Sequence, residues 1–218
     1  MSFLHLWAQN LPAFWQGVEM TLELTALALL LAVAFGFVLA LMRLSRLRLL
    51  SLVATIYIEV VRAIPVLVLL FVAYYSLGQI GIQMSGFTAA VITLGVYYAT
   101  LYGEIFRGGI EGVQYGQREA AEALGMGSQA IMRRIVLPQA FLAILPPATN
   151  ELADLIKDTS LVVTIGVADL MFQAYQASAA NFHPMDMFLL AGIMYFVFYL
   201  VLSQFLTRWE TNVQRRRG

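Results

Sequence analysis

The sequence predicts an all-α integral membrane protein with about five transmembrane helices. Three observations carry that reading. The 218-residue chain is 61% hydrophobic and 12% charged, with a mean hydropathy of +0.78, against about 25% charged residues in soluble domains. Several apolar runs are long enough to cross a bilayer. None of them alternates apolar with polar residues, so the spans are helices rather than barrel strands.

Residues 1–19 mix Phe3, Leu6, Trp7, Leu11, Phe14 and Trp15 with Gln9, Asn10, Gln16 and Glu19. Tryptophans suit the headgroup region, so this segment is expected to be a short interfacial helix outside the membrane, before the first span. It lacks the basic start and cleavage site of a signal peptide. The membrane domain is expected over 20–210, with spans near 21–42, 49–77, 87–106, 147–170 and 185–206. Gly36 and the alanines of the first span permit close helix packing. In the second, Glu59, Arg62 and Pro65 interrupt the apolar run, and the proline should kink it. A basic tail follows at 211–218.

Charge placement orients the chain. Arg43, Arg46, Arg48, Arg107, Arg118, Arg133, Arg134, Arg208, Arg215, Arg216 and Arg217 fall on one side of these spans. The opposite loops carry no lysine or arginine, and the remaining two cations, Arg62 and Lys157, lie inside spans. The positive-inside rule then puts the C-terminus and the third-to-fourth loop in the cytoplasm and the N-terminus outside. Zero formal net charge predicts no nucleic-acid partner. The absence of cysteine excludes disulfides and thiol chemistry. His5 and His183 have no ligand spacing around them, so no metal site is expected.

Ionisable groups at membrane depth mark sites or structural pairs. At 100° per residue, Glu151, Asp154 and Asp158 fall within about 60° of one another on the fourth span. Asn150 and Lys157 flank this acidic stripe. A structural pair of Lys157 with Asp158 accounts for part of it, but three carboxylates outnumber one ammonium. The surplus negative charge calls for a cation, which makes Glu151, Asp154 and Asp158 candidates for a substrate path. Tyr97 and Tyr98 on the third span either stack on a substrate, gate it, or pack against neighbouring helices. Glu59 with Arg62, and Glu104 with Arg107, are spaced i, i+3 and can pair along their helices; a role for Arg62 in the path, in gating or against a partner stays open.

The loop at about 108–138 contains the longest charged, non-spanning insert. Its stretch 119–138 reads EAAEALGMGSQAIMRRIVLP. Glu119, Ala120, Ala121, Glu122, Ala123 and Leu124 favour helix. Gly125 suits the left-handed turn that ends one, and Ser128 is expected to cap a second helix. Pro138 should stop that helix or turn it into the next segment. Small alanines beside exposed carboxylates fit docking to a basic partner. An amphipathic loop on the lipid surface, or a clamp between the protein's own helices, fits equally well.

The residues Glu119, Ala120, Ala121, Gly125, Ile135, Leu137 and Pro138 occupy all the fixed positions of a pattern that resembles the EAA loop of ABC-importer permeases. Lys157-Asp158-Thr159-Ser160-Leu161 and Ile165-Gly166-Val167 resemble runs found in polar amino-acid permeases of the histidine/glutamine type. The likeness extends over about 21–210. The resemblance implies a coupling helix between spans three and four, seated on a cytoplasmic ATPase through Glu119, Ala120, Ala121, Glu122, Leu124 and Gly125. It also implies a second permease subunit, self or sister, two ATPase subunits and an extracytoplasmic substrate-binding protein, all in a bacterial inner membrane. ATP and Mg2+ would then be bound by the ATPase, since this chain has no phosphate-loop pattern and Lys157 is its only lysine. The chain departs from the family at Ala63-Ile64, where Gly-Thr is frequent, and at Tyr97 and Tyr98, where small polar residues are.

Two other classes are compatible with parts of the sequence. The acidic stripe alone permits an ATP-independent channel or secondary carrier. Ser160 beside Lys157 is a weak hint of a Ser–Lys dyad in an intramembrane enzyme. For the importer, the stripe favours a cationic amino acid such as arginine, lysine or histidine. The Arg62-Ala63-Ile64-Pro65 run resembles glutamate/aspartate permeases, and glutamine lies between.

Overall fold

The computed structural model describes residues 3–215, and every regular element among them is helical. Arg216 and Arg217 of the expected basic tail lie outside the described residues. The first helix, α1, runs unbroken over Phe3–Arg43. The expected separate interfacial helix is therefore absent. Leu6 and Phe14 are buried against the last two helices of the chain, so the N-terminal turns have packing partners of their own. At 1.5 Å per residue these 41 residues extend about 60 Å, roughly twice the hydrocarbon thickness.

Helix α2 covers Arg48–Ala63 and α3 covers Val66–Phe71. A π-helical turn at Val72–Ser76 then leads into α4, Leu77–Gln79. The kink expected at Pro65 is a 97° bend between Arg48–Ala63 and Val66–Gln79. Ile64, before the proline, is extended at φ −97° and ψ 128°, because the proline ring disfavours helical geometry at the preceding residue. Among the described residues four helices are individually long and apolar enough to span, and the bent pair makes a fifth.

Helix α5, Gly86–Glu111, begins where the Ser85 side chain accepts the Thr88 amide. It is the central helix. It crosses α1 where Gly36 leaves no room: a Cβ there would lie 2.9 Å from the Ala99 carbonyl oxygen and 3.1 Å from the Gly103 nitrogen. Leu24, Ala28 and Ala32 of α1 pack with Leu94, Tyr98 and Tyr102 of α5 in the main core.

Helix α6 spans Tyr115–Ala123 and α7 spans Ser128–Ile131. Between them Gly125 takes φ +75°, as expected. Its amide donates to Glu122 and that of Met126 to Ala121, which satisfies the helix-end carbonyls. One expectation fails here. Gly127 occupies the N-cap and Ser128 is the first helical residue, with no side-chain cap. Of the two outcomes open at Pro138, a stop or a passage into the next segment, the second is found. A π-helical turn at Met132–Val136 widens the backbone just before it, and α8 continues over Leu137–Asp158. The wider turn relieves the clash that a proline ring makes with the carbonyl four residues earlier.

The expected fourth span, 147–170, is displaced. Helix α8 ends at Asp158, a 3-10 segment covers Thr159–Ile165, and Gly166 closes it at φ +75°. Helix α9, Leu170–Asn181, and α10, Pro184–Arg215, complete the chain. Asp169, fully buried, holds this corner together. Its carboxylate accepts the Phe172 amide at 2.9 Å and the Tyr195 hydroxyl at 3.2 Å. Thr21 of α1 accepts the Leu170 amide at 3.2 Å. Burial pushes the Asp169 carboxyl up to about 6 despite these donors.

Candidate functional site

The three stripe carboxylates come together because α8 is regular from Leu137 to Asp158 and presents them to α5. They open into a cleft of about 360 Å³ lined by Tyr97, Tyr98, Leu101, Glu151, Asp154, Lys157 and Asp158. Leu101 and Glu151 also line a second cleft of about 380 Å³, with Arg62, Glu104, Ile105, Gly108, Gly109, Ala143 and Pro147. The shared residues make one groove along the α5–α8 seam. Asn150 lies on α8 but does not line either cleft.

The charge pairing differs from expectation. Lys157 forms its ion pair with Asp154, one helical turn earlier, rather than with Asp158. The reach from Lys157 back to i−3 keeps both groups on one face, whereas successive residues point apart. Asp158 instead accepts the Tyr98 hydroxyl at 2.9 Å. Tyr98 is buried, and its ring meets Tyr97 edge-on with centroids 5.5 Å apart. It is thus a packed hydrogen-bond donor rather than a free stacking face, while Tyr97 keeps partial exposure on the cleft. After the Lys157–Asp154 pair is formed, the groove retains the carboxylates of Glu151 and Asp158.

Arg62 does not pair with Glu59. Among the described residues no ion pair joins them. Glu59 is exposed, and Arg62, in the last turn of α2, lines the groove with Glu151. The Glu104–Arg107 pair is present at 2.7 Å. Glu104 additionally accepts Arg43 Nε at 3.2 Å, and Arg43 reaches Thr55 on α2. Arg107 also pairs with Glu111. This cluster ties α1, α2 and α5 at one end of the groove. Arg43 as a partner of Glu104 was not singled out in the sequence. Its place at the end of the first span was the available signal.

The α6–α7 loop divides its residues between two faces. Ala121 is 2% exposed and packs on Ile110, Val113, Ile131 and Val136. It therefore holds the loop to the protein and offers nothing to a partner. Arg118 reinforces this by donating to the Ile110 carbonyl at 2.8 Å. Glu119, Ala120, Glu122 and Gly125 are exposed, and Leu124 is 82% exposed. An exposed leucine following two exposed carboxylates gives the loop an outward face with both apolar and acidic character.

Comparison with known proteins adds the following. Residues 8–217 match the family model of the binding-protein-dependent transport system inner membrane component. The chain is 36% identical over 195 residues to an arginine transport system permease protein, ArtQ, of Bacillus subtilis (strain 168), covering 89% of each. It is 34% identical over 225 residues to a nopaline transport system permease protein, NocM, of Agrobacterium fabrum, covering 98% of this chain and 93% of that one. A crystal structure of an amino acid ABC transporter with histidines superposes with a TM-score of 0.92 at 37% identity, covering 97% of this chain and 99% of that one. An inward-facing methionine ABC transporter, MetNI, shares the fold, with a TM-score of 0.77 at 20% identity over 92% of this chain and 96% of that one.

Proposed function

We propose, from the premise that this chain belongs to the family of binding-protein-dependent transport system inner membrane components and is a permease subunit of an amino-acid ABC importer, that its substrate is a cationic amino acid. ATP hydrolysis in this family is carried by a separate subunit. The observation that carries the substrate reading is the groove's charge. Lys157 is engaged by Asp154, and the groove's remaining carboxylates, Glu151 and the Tyr98-bonded Asp158, share its walls with one further cation, Arg62, which leaves a surplus negative charge at membrane depth, where an unmatched carboxylate costs several kcal/mol. An ammonium or guanidinium in transit offsets that cost. Arginine in the name of one relative, and the solved amino acid ABC transporter with histidines, support the same class.

The coupling reading follows from chain order. The α6–α7 loop joins the two helices that form the groove, α5 before it and α8 after it. A displacement of the loop therefore moves α5 relative to α8 and changes the width of the seam. Through the Gly36 crossing and the Arg43–Glu104 contact, α1 travels with α5. Glu119, Ala120, Glu122, Leu124 and Gly125 form the face that meets the ATPase, with the loop and C-terminus cytoplasmic and the N-terminus outside. ATP and Mg2+ are held by that partner. A second permease subunit, identical or sister, completes the pathway, and a substrate-binding protein delivers the ligand from outside.

The test is ATP-driven uptake of labelled arginine, glutamine and glutamate by the transporter complex in liposomes. Arginine should be carried. Glu151→Gln should abolish its uptake and leave ATPase activity in place. Asp154→Asn, which frees Lys157, should act in the same direction. Uptake of glutamine or glutamate alone, indifferent to both substitutions, overturns the reading.

A further inference from the structure

A cationic amino acid carries a carboxylate as well as its positive groups. An acidic groove that binds only the cations leaves that carboxylate unmatched, and repels it. One further cation is thus required on the groove wall, and the structure supplies it. Arg62 and Lys157 are the two cations inside the spans, and Lys157 is engaged by Asp154. Arg62 lines the same cleft as Glu151. Among the described residues it forms no ion pair. Arg62 lies on α2, 89 residues before Glu151 in the sequence, so the site exists only in the folded chain.

We propose that Arg62 binds the substrate's α-carboxylate, and that Glu151 beside it binds the α-ammonium. This rests on the cationic-substrate reading given above and adds the orientation of the ligand. The two groups sit on one carbon atom, and Arg62 and Glu151 line one cleft, which matches a zwitterionic head. The side-chain cation then extends along α8 toward Asp158. Seven residues of helix separate Glu151 from Asp158, a rise of about 10 Å. That span suits a long cationic side chain and leaves a short one without its second carboxylate. The head lies at the α2–Glu104 end of the groove, nearer the α6–α7 loop, and the side chain points toward the 3-10 segment. A planar guanidinium grips a carboxylate through two parallel hydrogen bonds, which an ammonium cannot do.

The experiment measures binding of labelled arginine to the purified transporter complex in nanodiscs, without the binding protein, with three competitors. Agmatine lacks the carboxylate, 5-guanidinovalerate lacks the α-ammonium, and 2,4-diaminobutyrate has a short side chain. Wild type should bind arginine at least tenfold more tightly than agmatine, the scale of one charge-assisted hydrogen bond. Arg62→Gln should weaken arginine at least tenfold and leave agmatine within twofold, so that the discrimination disappears. Arg62→Lys should restore part of it. Glu151→Gln should remove the preference over 5-guanidinovalerate, and Asp158→Asn the preference over 2,4-diaminobutyrate. Agmatine binding as tightly as arginine to wild type, which needs no variant at all, overturns the proposal. So does discrimination retained in Arg62→Gln while Glu151→Gln weakens arginine, and in that case the cationic-substrate reading stands. Absence of arginine binding to wild type, with glutamine or glutamate bound instead, removes both.

Discussion

Replacing Gly36 with alanine tests whether the α1–α5 crossing is set by backbone contact. The new Cβ would meet the Ala99 carbonyl oxygen at 2.9 Å, the Tyr102 Cβ at 3.0 Å and the Gly103 nitrogen at 3.1 Å. Ordinary carbon contacts lie at about 3.5–4.0 Å, so the helices must part by roughly 0.5 Å or more. A gap of that size forfeits a quarter or more of each contact along the seam. Overpacking of this kind costs about 1–3 kcal/mol. Two of the three neighbours are backbone atoms, which cannot rotate away. Gly192 of α10 is the control, because a Cβ there meets nothing within 4 Å. Both substitutions gain up to about 1 kcal/mol of helix propensity, so the difference between them isolates the crossing. For a chain of this length that difference corresponds to roughly 2–12 °C in apparent Tm. Thermal unfolding of the complex in one detergent, for Gly36→Ala, Gly192→Ala and wild type, reads it directly. Equal transition temperatures for the two variants would refute the contact argument, and with it the idea that α1 and α5 move together.

Two other outcomes follow from the structure. Asp169 has its carboxyl raised from 3.8 to about 6 by burial, so the folded chain keeps this proton at pH values where the unfolded chain has lost it. The contribution is complete below about pH 4 and is lost as pH rises through about 6, an effect of roughly 3 kcal/mol. Asp169→Asn keeps an N-cap acceptor and should flatten that part of the Tm-against-pH curve between pH 4 and 7; an unchanged slope contradicts the assignment. In the α6–α7 loop, Gly125→Val forces a branched residue into φ +75°, at a cost of about 1–2 kcal/mol. This variant and Glu119→Lys should uncouple transport from ATPase activity, and wild-type ratios of transport to ATP hydrolysis in both would remove the docking role.

Much of the fold was legible because bilayer solvation acts on one-dimensional patterns. Long apolar runs, and a left-handed turn that a glycine such as Gly125 accepts easily, are properties of local sequence. The family followed from the EAA-type pattern at 119–138, whose fixed positions extend over twenty residues. The acidic stripe was legible too, since 100° per residue places Glu151, Asp154 and Asp158 on one face whatever they pack against. Helix ends were less so. At Pro138 the sequence left a stop or a passage into the next segment open, and a π-helical turn just before it carries the helix on into α8.

Partner choice among the charges belongs largely to the tertiary structure. Helical spacing favours Asp154 over the adjacent Asp158 as the partner of Lys157, and the tertiary structure gives Asp158 a partner of its own. The Tyr98 hydroxyl, buried against α8, occupies Asp158, and Lys157 takes Asp154. Spacing likewise offered Arg62 to Glu59, but the packing of the helices sets it in one cleft with Glu151 instead. Asp169 showed no sign in the sequence of the buried corner it builds with Thr21 and Tyr195, which lie 148 and 26 residues away. Periodicity reports which residues share a face of one helix. It carries no information on which face of another helix lies opposite, and in a low-dielectric interior that neighbour decides where each charge goes.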